Sequence, residues 1–166
     1  QAGKDLLEVL NGMVDKNGKV TASHEDAMQA INELNQAYDG LNLAYDEETG
    51  ALSTNIKEVE RYIEAKGKVS RMGVLEERRT ELMRKQAEIQ AQLTEAEAKR
   101  QIVTENATMS DREKNRIIRD LDEQTKGYGE TQNALALDIQ ANNQAIENTM
   151  DATAQTTVNS YEAMNG

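Results

Sequence analysis

The sequence contains no cysteine, no proline, no phenylalanine and no tryptophan, and a single histidine, His24. Without cysteine there is no disulfide framework, thiolate nucleophile, zinc–thiolate site or iron–sulfur cluster. One histidine excludes sites that need two or more imidazole ligands. With only five tyrosines as aromatic residues, a compact core built on rings is not expected. Large aliphatic residues are sparse as well. Ile, Leu and Val supply 30 of the 166 residues, and the net charge is −11; by themselves these values indicate disorder. No apolar run approaches the roughly 20 residues of a membrane span, and no signal-peptide pattern is present. The excess of 30 Asp and Glu over 19 Lys and Arg disfavours nonspecific nucleic-acid binding, which depends on neutralising phosphates. Position 1 is Gln, not Met, and the chain is read as a processed product or an excised segment of a longer protein.

What the sequence does contain argues against disorder. Ala, Glu, Lys, Leu and Arg together make up 72 residues, the bias of long helices and coiled coils. Glycine provides the punctuation: segments 74–126 and 130–165 contain neither Gly nor Pro, as long helices require. In the more frequently broken first half, Leu6, Leu7, Leu10, Met13 and Val14 predict a short amphipathic helix over 4–15. Asp15-Lys16-Asn17-Gly18 has turn chemistry. Ser23 is positioned to cap a second helix over 24–39, whose apolar stripe is Ala27, Ile31, Leu34 and Tyr38. Alternation of Leu41, Leu43 and Tyr45, a polar turn at 46–50 and a return at Leu52 predict a small β-hairpin at 41–53. Ile56, Val59 and Ile63 then resume helical spacing.

Two seams follow. One passes every seventh residue through Leu75, Leu82, Ile89, Ala96 and Val103, interleaved with Arg79, Gln86, Leu93 and Arg100. The other alternates steps of three and four through Ile118, Leu121, Thr125, Tyr128, Gln132, Leu135, Ile139, Asn142, Ile146, Thr149 and Thr153. Five of those eleven are Thr, Asn or Gln. The pattern breaks at Asn106–Met109, and Ser110 with Glu113 three residues later starts a new helix as a capping box. The short connection implies antiparallel neighbours. The predicted fold is therefore mainly α and elongated. A helix-turn-helix-hairpin-helix module occupies 1–70. A long antiparallel coiled-coil hairpin occupies 71–166, turning near 106–109, with arms 74–105 and 110–160 and a C-terminal arm that frays because 127–166 has no Lys or Arg. Self-association through the seams is expected.

No motif nominates a catalytic, cofactor-binding or metal-binding residue. Asp15-Lys16-Asn17-Gly18-Lys19 lacks the Gly at position six and the Glu at twelve of a calcium loop and reads as a turn. His24-Glu25-Asp26 would supply half a metal site and reads as a helix start. Glu47-Glu48 and Glu76-Glu77 are paired carboxylates without apolar surroundings to raise a pKa, so solvated surfaces account for them. Arg78-Arg79 and Arg84-Lys85 are interleaved with Glu76, Glu77, Glu81 and Glu88, as on an exposed ion-paired helix. The seven methionines are scattered and read as gap fillers. A non-enzymatic protein is expected, and a membrane-surface role is disfavoured by the narrow apolar faces.

The order of elements over the first 70 residues resembles a recurring segment of tail tape measure proteins of long-tailed bacteriophages of Gram-positive hosts. The residues that carry it are Leu10-Asn11-Gly12-Met13-Val14-Asp15-Lys16-Asn17-Gly18-Lys19-Val20, Ala30-Ile31-Asn32-Glu33-Leu34-Asn35-Gln36-Ala37, Leu41-Asn42-Leu43 and Tyr45-Asp46-Glu47-Glu48-Thr49-Gly50-Ala51-Leu52. About 60 residues are covered closely and the coiled-coil remainder in style. The resemblance implies a structural role in the virion: setting tail length inside the tail tube during assembly in the bacterial host cytoplasm, with the tube and tail assembly chaperones as partners. Transmembrane stretches and wall-degrading domains found in such proteins do not occur in these 166 residues. The alternative is a coiled-coil spacer or tether unrelated to phage.

Overall fold

The computed structural model describes residues 2–165. These form five helices: α1 (Ala2–Asn11), α2 (His24–Ala37), α3 (Ile56–Glu105), α4 (Asp111–Thr149) and α5 (Ala154–Asn165). The chain divides into two compact units, one made of Gln1–Arg71 with Met150–Gly166, the other of Met72–Thr149.

In the first unit the expected helix starts form for the expected reasons. The Ser23 hydroxyl accepts a hydrogen bond from the Asp26 amide at 3.2 Å, with Glu25 and Asp26 in the first turn, where carboxylates face the positive end of the helix. The turn after α1 is closed by Asp15, whose Oδ1 accepts from the amides of Asn17 (2.9 Å) and Lys19 (3.1 Å). Gly18 supplies the left-handed residue, at φ 78°, that a side chain would disfavour. The core joins Leu7 and Leu10 of α1, Ala30, Ile31 and Leu34 of α2, Leu41 and Leu43 of the following loop, Val59, Tyr62 and Ile63 of α3, and Ala154, Val158 and Tyr161 of α5.

The β-hairpin expected at 41–53 does not form: among the described residues there is no strand. Tyr45 and Leu52 make one isolated antiparallel bridge, and two more join Val14 to Val20 and Lys19 to Ala51. The ladder stops because its next backbone groups are already engaged. Asn35 donates to the Leu43 carbonyl at 2.9 Å and accepts from the Leu43 amide at 2.8 Å, saturating both polar groups that a partner strand would use. Asn42 lies at φ 47°, outside any strand geometry. The Leu41–Leu43 alternation is real, but it buries two leucines from an irregular segment.

In the second unit α3 and α4 pack antiparallel. As partners on α3 advance from Leu75 through Gln90 and Arg100 to Thr104, those on α4 recede from Asn142 through Gln132 and Asp122 to Lys114. The Ser110 hydroxyl accepts from the Glu113 amide at 3.2 Å, capping α4. Along α4, every seam position from Ile118 to Thr149 is buried or half-buried. On α3 Leu82 and Ala96 are buried, Leu75, Gln86, Ile89, Leu93 and Val103 are half-buried, and Arg79 and Arg100 are exposed.

The C-terminal arm does not continue to 160. It ends at Thr149, because Asp151 Oδ1 takes the Thr153 amide (3.0 Å) and hydroxyl (2.7 Å) and starts a new helix. Residues 154–165 then belong to the core of the first unit, not to the hairpin.

Candidate functional site

The residues singled out by sequence are dispersed. Asp15–Lys19 closes on its own backbone. His24 Nδ1 faces the Tyr45 hydroxyl and lies 3.2 Å from Glu47 Oε1, and burial and the Glu47 carboxylate raise the Tyr45 pKa. Glu25 and Asp26 are exposed in the first turn of α2. Glu48 sits in a turn where its amide bonds to Asp46 Oδ1 at 2.9 Å. Glu76, Glu77, Arg78 and Arg79 are exposed on α3, so the two carboxylate pairs fall in different units. Arg84 pairs with Glu81 and with Glu88 along one helix face; the Glu81 contact raises the guanidinium pKa and lowers that of the carboxyl. Among the described residues no three His, Asp or Glu are grouped to hold a metal ion, and no helix is long and apolar enough to cross a membrane. A cleft of about 760 Å³ in the first unit is lined by side chains of both signs, including Asp15, Lys57, Glu60 and Arg61.

Two arrangements do bring distant side chains together. The first docks α5. Tyr62 and Tyr161 stack with ring centroids 4.3 Å apart. The Tyr161 hydroxyl donates to the Leu41 carbonyl at 2.8 Å. The Tyr62 hydroxyl lies 2.7 Å from Glu162 Oε1 and 2.8 Å from the Asp39 carbonyl. It has one proton to give, and the ionised carboxylate is the stronger acceptor. Lys66 Nζ approaches the same carboxylate oxygen at 3.0 Å. Hydrogen bonding from Tyr62, then from Lys66, holds the Glu162 pKa below the ordinary carboxylate range, and burial pushes the Tyr62 pKa far up. Thr54 donates to Asn165 at 2.8 Å, and Lys68 pairs with Asp151 at 2.8 Å. The Lys68 bond lowers the Asp151 pKa strongly, with Thr153 adding to it. The spacing of Ala154, Val158 and Tyr161 is a helical apolar stripe, the one sequence signal that could have revealed this docking.

The second arrangement is the α3–α4 seam, where polar pairs alternate with apolar layers. Gln132 donates to Gln90 at 2.9 Å, Arg100 to Asp122 at 2.8 Å, Lys114 to the Thr104 carbonyl at 3.3 Å, and Asn142 to the Leu75 carbonyl at 3.0 Å. Asn142 is 4% exposed, and its Oδ1 is buried without a hydrogen-bond partner. Each pair fits one register of the two helices. Chemically, such a surface binds another helix. The chain matches no protein-family model, no curated protein and no solved structure.

Proposed function

We propose that this chain is a non-catalytic structural segment of a phage tail tape measure protein, which sets tail length as the tail assembles. The observation that supports the reading is the order helix, acidic-Asn-Gly turn, helix with Leu34-Asn35-x-Ala37 and long charged helix, with an irregular loop and one isolated Tyr45–Leu52 bridge where the resemblance implies a small hairpin; several of the resemblance-bearing residues hold the fold together. Leu10, Ile31, Leu34 and Leu41 are fully buried, Asp15 closes the turn, and Asn35 occupies the backbone of Leu43. In this reading the work of the chain is distance. A helix converts residues to length at about 1.5 Å each, and long Pro-free helices keep that rate constant. The partners are the tube lining, tail assembly chaperones and further copies of the chain. The site of action is the tail interior, after assembly in the host cytoplasm.

The test is in-frame deletion of 74–105 from the parent gene, followed by electron microscopy of assembled tails. Loss of these 32 residues shortens the tail by about 48 Å if the segment is extended there. Assembled tails of unchanged length would refute the ruler role for this stretch and leave a spacer or tether as the reading.

A further inference from the structure

The connection between α3 and α4 differs in kind from the loops after α1 and α2. The loops after α1 and α2 use left-handed residues: Gly18 at φ 78°, Gly40 at 91°, Asn42 at 47° and Gly50 at 74°. Residues 103–114 contain no glycine and no proline, and none of them has a positive φ. Nothing covalent prevents a helix from running straight through. The turn is held by side chains. Asn106 Oδ1 accepts from the Thr108 amide (2.9 Å), the Thr108 hydroxyl (2.9 Å) and the Met109 amide (3.1 Å), and Ser110 caps the helix that follows.

The heptad phase also survives the turn. Leu121 follows Arg79 by six whole heptads. Positions 79, 86, 93 and 100 therefore lead through 107 and 114 to Leu121, Tyr128, Leu135 and Asn142. The flanking seam positions shift by one residue only, from the 75–103 series to the 118–146 series. A continuous helix would keep both seams on one face, and that face would find its complement in a second such helix lying antiparallel.

We infer that α4 exchanges between two copies of this chain. The segment 106–110 straightens, α3 and α4 become one helix, and each copy's α3 receives the other's α4 through the same pairs (Leu75 with Asn142, Gln90 with Gln132, Arg100 with Asp122). α5 follows α4 and completes the first-unit core of the same partner. Asn106 is the latch that favours the closed form. This gives self-association a defined partner surface, a second copy of the chain, and it holds or fails independently of the length-setting reading.

The chain has no cysteine, so single cysteines report unambiguously. The full-length Q90C and Q132C variants are prepared separately, mixed, and treated with a short bis-maleimide. Exchange yields a species of twice the 18.5 kDa chain mass in the mixture. Q90C alone gives none, because its two cysteines would lie 42 residues apart along the rod, about 63 Å. Removing the latch with Asn106→Ala raises the dimerisation constant about a hundredfold, roughly tenfold for each chain. Replacing Ala107 with glycine lowers it about 25-fold, roughly fivefold for each chain, and leaves the Asn106–Thr108 contacts in place. Ser110→Ala moves it in the same direction as N106A and serves if that variant loses helix content. A latch variant that keeps its helicity and sediments as a monomer at near-millimolar concentration overturns the inference. So does a cross-link formed equally well by Q90C alone, which would mean side-by-side association without exchange.

Discussion

Tyr161→Phe isolates the contact that fixes α5 to the first unit. The substitution keeps the ring, and with it the stack on Tyr62 at 4.3 Å. It removes only the hydroxyl that donates to the Leu41 carbonyl at 2.8 Å. Leu41 is fully buried, and its amide is bonded to the Tyr38 carbonyl at 3.1 Å across a turn containing Gly40 at φ 91°. A buried acceptor left unpaired costs about 1–3 kcal/mol, so Y161F should destabilise the first unit by about 2 kcal/mol. For a unit of this size, that corresponds to a fall in Tm of roughly 8–16 °C. Tyr161→Ala, which also empties the ring site, should cost about 3–5 kcal/mol. Met164→Ala, on an exposed position of the same helix, should change stability by less than about 0.5 kcal/mol. The assay is thermal and urea denaturation followed by near-ultraviolet circular dichroism, which reports the stacked tyrosines. A Y161F transition superimposable on that of the unsubstituted chain would refute the docking of α5.

Two further outcomes follow from the same contacts. The Glu162 and Asp151 pKa values are depressed in the folded chain, so their stabilisation is complete above the ordinary carboxylate value and is lost as pH falls through the folded one. The Tm of the first unit should therefore drop on acidification below about pH 4, less steeply in Glu162→Gln; parallel profiles would count against the Tyr62–Lys66–Glu162 network. Asn142→Leu replaces a buried amide whose Oδ1 has no partner with an apolar knob, and should raise the stability of the α3–α4 pair by about 1–2 kcal/mol; a lowered urea midpoint would contradict that.

Much of the architecture was legible because it follows from local chemistry. Absence of proline permits the long helices, whereas glycine does not bound them: α3 runs through Gly67 and Gly73 and α4 through Gly127 and Gly129. Ser23 and Ser110 mark two helix starts by the same hydroxyl-to-amide bond. The period of the second seam picks out the covered positions from Ile118 to Thr149. What escaped is nonlocal or competes with a regular pattern. Thr153 fits the seam period, yet Asp151 captures its amide and hydroxyl and ends the arm. Leu41, Leu43 and Tyr45 alternate as a strand would, yet Asn35, on the preceding helix, occupies the Leu43 backbone. Tyr62 and Glu162 meet across 100 residues of sequence; spacing rules act over a few turns and carry no information at that range.

The polar seam explains how a helical segment could be closed alone and open in company. Thr125, Gln132, Asn142 and Thr149 occupy covered positions on α4 where an apolar knob would contribute about 1–2 kcal/mol more at partial burial. Together they withhold about 4–8 kcal/mol, a large part of the 5–15 kcal/mol that stabilises a typical domain. Pairing of α3 with α4 is therefore specific in register but shallow in energy. In dilute solution the two arms of one chain win, because their short connection holds them at an effective concentration in the millimolar range. If copies are confined side by side at comparable concentration, as the proposed place inside a tail tube would require, that advantage disappears. The choice between the closed hairpin and the shared rod then passes to the hydrogen bonds around Asn106. Because exchange keeps the same pairs, the strength of the seam sets how readily a chain opens and not which form is favoured, and a seam of leucines would slow that opening. The proposed length-setting role calls for a pair that opens without scrambling its register. The mixture of weak knobs and register-specific polar pairs provides a helix pair that can be exchanged without losing its register.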